Sequence, residues 1–475
     1  MFEHINNIFI VGIKGVAMTN LALILKKMGK CVSGSDLAEE FITDYLLRDN
    51  AISQSIGFEP FNLPRDTDLV IYSAAHLGVN NPQVIEAKRR GLKVMSQAEA
   101  IEHLMKNFKN KIAVCGSHGK TTTASLLIYC LIKLNSSPSY IVGAPNFGDY
   151  PGGDYRQSDY FVVEADEYAV NPPLDKRPKF HLLQPNFIIA TNIDFDHPDV
   201  YEDLNQTKQA FAEFFKKVVR INKPCLFACS DDQNLMDVLR TIPRDHYQTF
   251  GLGNEVDLKI NNPVNDENHS SFNLVYRGKD LGRFELSIFG HQNISNAAGV
   301  ILCLINLGFN IEEIRKVTSG FGGAKRRFEM VAKIGNSYLF DDYAHHPKEI
   351  ETTIRAARAR FKNKRLIIIF QPHTFSRTKS LLNDFAKSLS LADLSLIMPI
   401  FASARENAAD FKISAFDIEK EALNSRVKAI ATTDSLIDKL SGYLRSGDII
   451  FTMGAGDVYK LKDDIIKILK IAEKQ

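Results

Sequence analysis

Gly116-Ser-His-Gly-Lys-Thr-Thr122 is the stretch of this 475-residue chain that decides how its middle folds. An apolar run ends at Cys115, directly before it, and a helical pattern follows it. The order of strand, glycine turn, Lys-Thr and helix predicts a loop whose backbone N–H groups and helix N-terminus face a polyphosphate. In that loop Lys120 supplies a positive charge, and the Thr121 hydroxyl can ligate Mg²⁺. Val114 stands where the full P-loop pattern has its first glycine, so the stretch by itself indicates a nucleoside triphosphate and not a particular enzyme.

Length and composition limit the class of protein. The chain is too long for one hydrophobic core, and we expect roughly two to four domains. Hydrophobic residues make up 45% and charged residues 24%, as in soluble globular proteins, and the net charge of +2 gives no reason to expect nucleic acid. The apolar runs are far shorter than the ~20 residues of a membrane span, the first residues lack a signal-peptide pattern, and the scattered cysteines indicate buried, reduced thiols. We therefore predict a cytoplasmic protein that binds neither nucleic acid nor membrane.

Three successive segments alternate strand-like and helix-like runs, and we predict an α/β protein of three domains. Residues 1–108 repeat the order strand, glycine turn and helix, which predicts a Rossmann-like domain. Residues 109–324 predict a P-loop-type, mostly parallel sheet with added β-rich hairpins, one of them around Arg277-Gly-Lys-Asp280. The polar stretch from Asn261 to Ser271 is predicted to be a loop. Residues 325–475 predict a second Rossmann-like α/β domain.

Acidic residues follow two predicted strands of the middle segment. Glu164-Ala-Asp-Glu167 comes after one, and Asp194-Phe-Asp-His-Pro198 comes after the other. Because the carboxyl ends of parallel strands meet at one edge, Thr121, Glu164 and His197 can together hold Mg²⁺ against the β- and γ-phosphates. The alternative is that these are polar loop groups and helix caps. Imidazole is also not a typical Mg²⁺ ligand.

Two further clusters occupy strand ends in the last segment. Asp341-Asp-Tyr-Ala-His-His-Pro347 places two histidines after two aspartates, a pattern suited to a metal site, a base, a substrate contact or, alternatively, a self-satisfied surface loop. Gln371-Pro-His-Thr-Phe-Ser-Arg-Thr378 leaves a buried strand and offers His373 and Arg377. The Arg377 guanidinium can bind a carboxylate through two hydrogen bonds.

A weaker signal lies near the start of the chain. Gly12-x-x-Gly15 resembles a dinucleotide fingerprint, but Met18 holds the third glycine position. Packing glycines are an equal alternative. A nicotinamide dehydrogenase fits these glycines alone, and the triphosphate and metal motifs argue against it.

Taken in order, these motifs resemble the Mur ligase family of peptidoglycan synthesis, and the resemblance covers nearly the whole chain. The clusters Asp341–Pro347 and Gln371–Thr378 are most similar to those of the members that add L-alanine. The resemblance implies an ATP-dependent ligase that joins L-alanine to the muramoyl carboxylate of UDP-N-acetylmuramate through an acyl phosphate, with Mg²⁺. The alternative is the recycling ligase that adds the tripeptide L-Ala-γ-D-Glu-meso-diaminopimelate, because Asp175-Lys-Arg-Pro-Lys-Phe180 resembles a segment of that enzyme. A binding protein with a degenerate site is a further alternative, against which the intact phosphate and metal motifs argue.

The resemblance also implies roles for individual residues. The implied catalytic residues are Lys120, Glu164, His197, Arg327 and His346. The implied ATP-binding residues are Gly116, Ser117, His118, Gly119, Lys120, Thr121, Thr122, Asn293, Asn296, Arg327 and Asp342. Contacts to UDP-N-acetylmuramate or L-alanine are implied for Gly12, Lys14, Gly15, Ser35, Asp36, Ser73, Tyr343, His345, His373 and Arg377. The implied Mg²⁺ ligands are Thr121, Glu164 and His197, and one of His345, His346 and His373 is expected to accept the amine proton. The oligomeric state stays open between a monomer and a weak dimer.

Four positions bear on how closely the chain follows the family. Lys14 replaces a glycine of the uridine-nucleotide loop, and Gln292 stands where the adenine motif has histidine. Thr374 stands where some members carry arginine, which leaves more of the carboxylate binding to Arg377. Phe211 stands where other Mur ligases carry a carbamylated lysine, which is the pattern of the members that add L-alanine.

Overall fold

The computed structural model describes residues 2–219, 225–266, 269–402, 406 and 408–474. In this part of the chain, three mainly parallel sheets of five, ten and six strands follow one another, and the fold is α/β as predicted. We propose that the domain borders lie at 108/109 and 324/325, between the last elements of one sheet unit and the first strand of the next. No helix among the described residues is long and apolar enough to cross a lipid bilayer.

The N-terminal sheet is parallel throughout. Its elements in chain order are β1 (Asn7–Val11), α1 (Val16–Lys27), β2 (Cys31–Asp36), α2 (Asp44–Asp49), β3 (Ser53–Ile56), β4 (Leu69–Tyr72), α3 (Pro82–Arg89), β5 (Lys93–Ser96) and α4 (Gln97–Met105). The strand order β3-β2-β1-β4-β5 is that of a Rossmann-like half, with β1 at the point where the order reverses. The turn after β1 therefore opens toward the crevice where such sheets bind ligands.

The central sheet carries the phosphate loop between its first strand and first helix. Its elements are β6 (Asn110–Cys115), α5 (Lys120–Lys133), β7 (Ser139–Phe147), β8 (Tyr150–Asp154), β9 (Tyr160–Glu164), β10 (Ala169–Asn171), β11 (Asp175–Pro178), β12 (Phe187–Ala190), α6 (Leu204–Phe215), β13 (Leu226–Cys229), α7 (Gln233–Leu239), β14 (Tyr247–Gly251), β15 (Leu258–Asn265), β16 (Ser270–Tyr276), β17 (Lys279–Leu286), α8 (His291–Asn306) and α9 (Ile311–Thr318). The order is β17-β16-β15-β14-β13-β12-β6-β9-β7-β8, and β10 pairs with β11 in a separate hairpin.

The antiparallel additions lie at the two ends of this sheet. The predicted hairpin is present, since β16 and β17 pair on either side of Arg277 and Gly278. The prediction of a loop over Asn261–Ser271 is wrong at both ends, because β15 runs to Asn265 and β16 begins at Ser270; Glu267 and Asn268 lie outside the described residues. Pairing with neighbouring strands satisfies the backbone there despite the polar side chains.

The C-terminal sheet is parallel except for its first strand. Its elements are β18 (Glu329–Ile334), β19 (Ser337–Asp342), α10 (Pro347–Arg360), β20 (Leu366–Phe370), α11 (Phe375–Ser380), α12 (Leu382–Leu389), β21 (Leu394–Ile397), α13 (Ala415–Glu421), β22 (Val427–Ala429), α14 (Thr433–Tyr443), β23 (Ile449–Met453) and α15 (Lys462–Ala472). The order is β18-β19-β23-β20-β21-β22, with β18 antiparallel to β19. The clusters that follow β19 and β20 thus leave the same edge of the sheet.

The apolar cores divide the molecule unevenly. One continuous core runs through the N-terminal and central units, from Phe2 to Ala324. The C-terminal sheet has its own cores, one on each face, because neighbouring residues such as Ile368 and Ile369 point to opposite sides. All six cysteines are free, and Cys31 is exposed, so the expectation of buried thiols fails at that one position.

Candidate active site

The phosphate loop is shaped by two glycines between β6 and α5. Gly116 has φ +141°, and a Cβ there would lie 2.0 Å from the Thr191 hydroxyl. Gly119 precedes the first turn of α5 with φ +80°, and a Cβ there would lie 3.1 Å from Asn296 Oδ1. Only glycine fits both positions without strain or collision. The loop therefore turns tightly and presents the N-terminus of α5, as an anion site requires.

Lys120 is held at the loop by one carboxylate. Its Nζ donates to Glu167 Oε1 at 2.9 Å and Oε2 at 2.8 Å, and to the Gly116 carbonyl at 2.6 Å. Burial opposes the charge, but Glu167 and Asp166 raise the pKa of Lys120 above its ordinary value. Lys120 therefore stays a cation at the position that the sequence predicted.

Thr121 and Glu164 meet beside it, together with an arginine from the next domain. The Thr121 hydroxyl donates to Glu164 Oε1 at 3.0 Å, and Arg327 Nη2 donates to the Thr121 oxygen at 3.2 Å. The backbone N–H of Gly143 donates to Glu164 Oε2 at 2.6 Å. Burial raises the pKa of Glu164 even so. A cation from the C-terminal domain thus reaches the phosphate loop.

Donors that can hold a metal beside Lys120 lie in two groups, and His118, Asp194 and His346 form a further cluster. Asp166, Glu167 and His197 place ligand atoms within 4.8 Å of one another, whereas Glu164 contacts Thr121. The predicted trio of Thr121, Glu164 and His197 is therefore divided between these groups, and its role as the ligand set stays a prediction. Carboxylate and hydroxyl oxygens are the ligands that Mg²⁺ prefers, so the donors present fit that ion.

His118 links the loop to two domains. Its Nε2 lies 3.3 Å from Asp194 Oδ2, and its Nδ1 lies 3.5 Å from Glu349 Oε1 on α10. Burial opposes protonation, but these two carboxylates raise the pKa of His118 to about 9. Lys348 Nζ adds a contact of 3.0 Å to Asp194. His118 is thus a charged link in the seam between the central and C-terminal domains.

Burial keeps both histidines after β19 neutral, and their hydrogen-bond partners differ. His346 caps α10, since the Lys348 N–H donates to its Nδ1 at 3.4 Å, so that its Nε2–H donates to the Phe195 carbonyl at 3.2 Å. Burial lowers the pKa of His346. Burial also lowers the pKa of His345 to about 3, and its Nδ1–H donates to the Tyr343 carbonyl at 3.0 Å. The lone pair of His345 Nε2 is left on the far side of the ring.

Arg377 is less open than the sequence predicted. Its side chain is buried, its Nε donates to Asp196 Oδ1 at 2.8 Å, and its Nη1 donates to the His373 carbonyl at 3.4 Å. The rings of His345 and His373 lie 6.3 Å apart. The structure brings these predicted residues together, but the partnership with Asp196 restricts a carboxylate to the Nη atoms of Arg377.

The residues predicted to bind the nucleotide sugar gather at the end of β1. A Cβ on Gly12 would lie 2.9 Å from Ser73 Oγ, and Ser35 Oγ donates to Gln83 Oε1 at 2.5 Å. Asp36 Oδ2 accepts from the Lys14 backbone N–H at 2.7 Å.

The side chain of Lys14, whose contact with substrate stays a prediction, binds the protein's own chain in this structure. Its Nζ donates to the Glu39 carbonyl at 2.8 Å and lies 3.6 Å from Asp44, so it ties down the protein's own loop.

A cavity of 840 Å³ lies between the central and C-terminal domains. Its volume is within the size range of ligand pockets. The predicted residues that line it are His118, Gly119, Thr122, Asn293, Asn296, Arg327 and Asp342. Burial raises the pKa of Asp342 to about 6, and its oxygens accept from the N–H groups of Phe328 and Ala344. The side-chain amide of Gln292 donates to Asn296 Oδ1 at 3.4 Å. Although Gln292 departs from the family pattern, it therefore helps to hold Asn296, a residue predicted to bind ATP.

Several functional residues were missed from the sequence. Glu349 contacts His118, Arg327 and His345, and Glu167 holds Lys120. A signal for Glu349 was present, because it stands three residues after the helix cap His346, at capping-box spacing. Partners that come from different domains had no such local signal.

Sequence models of three Mur ligase domains match this chain in order. The Mur ligase family catalytic domain matches residues 7–109, the Mur ligase middle domain residues 114–304, and the glutamate ligase domain residues 326–456. UDP-N-acetylmuramate–L-alanine ligase of Caldicellulosiruptor saccharolyticus is 36% identical over 465 residues, 96% of this chain and 97% of the relative. The protein of that name from Lactobacillus acidophilus is 36% identical over 469 residues, 99% and 100% of the two chains. The chain belongs to the Mur ligase family.

Solved structures agree with this at the level of the fold. UDP-N-acetylmuramate–alanine ligase MurC from Thermotoga maritima matches with a TM-score of 0.80 and 24% identity, over 99% of this chain and 100% of that one. A murein peptide ligase from Psychrobacter arcticus matches with a TM-score of 0.73 and 23% identity, over 98% and 99%. Three domains in this arrangement are therefore shared across family members with different names.

Proposed function

We propose that this chain is an ATP-dependent ligase that joins L-alanine to the muramoyl carboxylate of UDP-N-acetylmuramate. The relatives of that name over nearly the full chain support the substrates. The observation that carries the chemistry is the meeting of Lys120, Thr121, Glu164 and Arg327 at one loop beside the 840 Å³ cavity. We place the reaction in the cytoplasm, where both nucleotide substrates are available, as a step of peptidoglycan precursor synthesis.

The first step activates the carboxylate. One muramoyl carboxylate oxygen attacks the γ-phosphorus of ATP in line, the bond to the β-phosphate oxygen breaks, and an acyl phosphate and ADP result. Lys120 and Arg327 stabilise the negative charge on the transferred group, mainly by being held in position. Glu167 orients Lys120 by accepting two hydrogen bonds from its ammonium.

Magnesium belongs to this step as the counter-ion of the triphosphate. The oxygens of Thr121, Glu164, Asp166 and Glu167, with His197 beside them, are the groups of this chain that would hold it. Bound there, Mg²⁺ would neutralise phosphate charge and orient the γ-phosphate.

The second step forms the amide. The neutral amine of L-alanine attacks the acyl carbon, the tetrahedral intermediate loses one nitrogen proton to a neighbouring neutral histidine, and phosphate leaves to give the amide. Arg377 presents its Nη atoms to the alanine carboxylate, because Asp196 occupies Nε. His345 keeps an Nε2 lone pair near that position, whereas His346 uses its Nδ1 lone pair as a helix cap. The C-terminal domain excludes water, which would hydrolyse the acyl phosphate.

The alternative, addition of the tripeptide, is not favoured. The segment Asp175–Phe180 resembles that of the recycling ligase, but one similar segment does not define the amine substrate. The relatives at 36% identity over nearly the full chain carry the name of the L-alanine ligase instead.

Phosphate release in the presence of ATP, Mg²⁺ and UDP-N-acetylmuramate tests the proposal. L-Alanine should drive release far faster than glycine, L-serine or the tripeptide do. Faster release with the tripeptide would replace the proposed substrate, and no release with any of the four would overturn ligase activity.

A further inference from the structure

A second cavity, of 110 Å³, lies between the N-terminal domain and the phosphate-loop domain. Its wall on the N-terminal side is formed by Ala17, Gln97, Ala98 and Ile101. Its wall on the central side is formed by Ile141, Val142, Gly143, Val163, Glu164, Asp166, Lys179, Phe180 and Leu183. One water molecule needs only about 10–15 Å³ of cavity volume measured in this way. The cavity therefore has room for a group of several heavy atoms.

The position of this cavity connects two sites. Ala17 lies two residues after Gly15 of the predicted nucleotide-sugar loop, and Glu164 contacts Thr121 of the phosphate loop. The cavity therefore lies between the predicted nucleotide-sugar loop and the phosphate loop. Under the proposed function, the group that links the two sites is the lactyl arm of the muramoyl residue, which ends in the reacting carboxylate.

Acidic side chains that would hold Mg²⁺ also line the cavity, and one lysine side chain lies beside them. Glu164 and Asp166 both line it, and a third acid, Glu167, lies next to them in sequence. Among the described residues of the lining, Lys179 carries the one positive charge. Burying an anion beside carboxylates is costly unless a cation is paired with it. Lys120 cannot pair with both the muramoyl carboxylate and the γ-phosphate, because its ammonium is directed at the phosphate loop.

Contacts with Asp166 and Tyr168 fix the side chain of Lys179 at the cavity wall. Its Nζ donates to Asp166 Oδ2 at 2.7 Å and lies 5.5 Å from the centre of the Tyr168 ring. Its backbone N–H donates to the Tyr168 carbonyl at 2.9 Å. The side chain is 18% exposed and Lys179 lines the cavity, so most of the side chain is fixed by packing. The rest of the lining is largely apolar and suits the lactyl methyl group.

We propose that Lys179 is the residue that binds and positions the muramoyl carboxylate for attack, with the lactyl arm in this cavity, the lactyl subsite. The proposal rests on the proposed function. It also gives a role to the segment Asp175–Phe180, whose sequence first suggested a tripeptide substrate. A lysine that positions the carboxylate would act in the first step, which is the same whichever amine follows.

Two ligands that differ only in the lactyl group test this directly. UDP-N-acetylmuramate carries it and UDP-N-acetylglucosamine lacks it, so their dissociation constants are measured by calorimetry on the wild type and on Lys179→Met. We expect Lys179→Met to raise the dissociation constant of UDP-N-acetylmuramate at least tenfold. The dissociation constant of UDP-N-acetylglucosamine should change less than twofold. In turnover, the KM for UDP-N-acetylmuramate should rise by a similar factor while the KM for L-alanine stays within twofold.

Matched variants separate the subsite from a structural ion pair. Lys176→Met, at an exposed position on the same hairpin, should change neither affinity. Lys179→Arg should recover part of the loss, and Lys179→Gln repeats the test should Lys179→Met fail to fold. Equal weakening of both ligands, or no weakening of either, would overturn the subsite. Failure of the wild type to turn over UDP-N-acetylmuramate would instead refute the proposed function.

Discussion

The N-terminal domain and the C-terminal domain are joined to the central domain in opposite ways. Toward the N-terminal side the apolar core is continuous, and Asn20 of α1 is buried, with its Nδ2 donating to the carbonyls of Val142 and Ala144 at 2.9 Å each. Toward the C-terminal side the core stops, and charged pairs such as Arg377–Asp196 cross the seam.

The difference has a physical consequence. Separating apolar faces exposes surface at about 25 cal/mol per Å², whereas water solvates charged groups as they part. We infer a fixed pair of domains, which holds the sugar nucleotide against the phosphate loop, and a third domain that can open. Amide-forming chemistry needs both, because the acyl phosphate must be kept from water and the products must leave.

The largest expected effect lies inside the fixed pair. Lys120→Ala removes the cation that faces the transferred phosphate, and kcat should fall by at least about a thousandfold, or roughly 4 kcal/mol. Lys133→Ala, at an exposed position on the same helix, is the matched control and should keep kcat. A loss of less than about tenfold for Lys120→Ala would remove Lys120 from its role.

The fixed interface itself can be broken by Asn20→Ala. Two buried carbonyls lose their donor, which should lower the free energy of unfolding by about 2–3 kcal/mol. Urea unfolding measures this, and Asn107→Ala, at an exposed position of the same pair of domains, should leave the midpoint unchanged. An unchanged midpoint for Asn20→Ala as well would mean that the first interface is no firmer than the second.

A change at the interface between the central and C-terminal domains should alter the kinetic constants of the reaction. Glu349→Gln removes the charge that faces His118 and Arg327, and we expect the KM for ATP to rise by about tenfold, the scale of one charged hydrogen bond. The unfolding of the N-terminal and central pair should stay unchanged, since its core does not involve Glu349. A large loss of stability in that pair with normal KM would reverse the comparison.

The same seam should weaken at alkaline pH. The pKa of His118 is raised to about 9 in the folded protein from 6.5, so its charge stabilises the folded state fully below pH 6.5 and loses that effect as the pH rises through 9. The difference in unfolding free energy between the wild type and His118→Gln should therefore shrink between pH 6.5 and 9. A difference that is constant over this range would show that His118 is not charged in the seam.

The sequence could predict features that depend on neighbours along the chain. The phosphate loop, the parallel α/β order and the hairpin at Arg277 follow from local patterns, and each is present. Long-range pairs could not be found in this way. Asp196 and Arg377 are 181 positions apart in the sequence. Only the docking of the two domains shows that Arg377, predicted to bind a substrate carboxylate, is already paired with the carboxylate of Asp196. Periodicity reports which face is buried and not which charged groups meet there.

Lys14 provides the smallest expected effect and tests the limit of that local reasoning. Its position predicted contact with the nucleotide sugar, but its ammonium binds Glu39 and Asp44, while its backbone N–H serves Asp36. Lys14→Met keeps the N–H, so the KM for UDP-N-acetylmuramate should change less than about threefold, under 0.7 kcal/mol. Lys88→Met, at an exposed position on α3, sets the background for a lost surface charge in the same domain. A rise of tenfold or more for Lys14→Met would mean that the ammonium turns toward the nucleotide, and that the loop from Glu39 to Asp44 moves when the fixed pair binds its substrate.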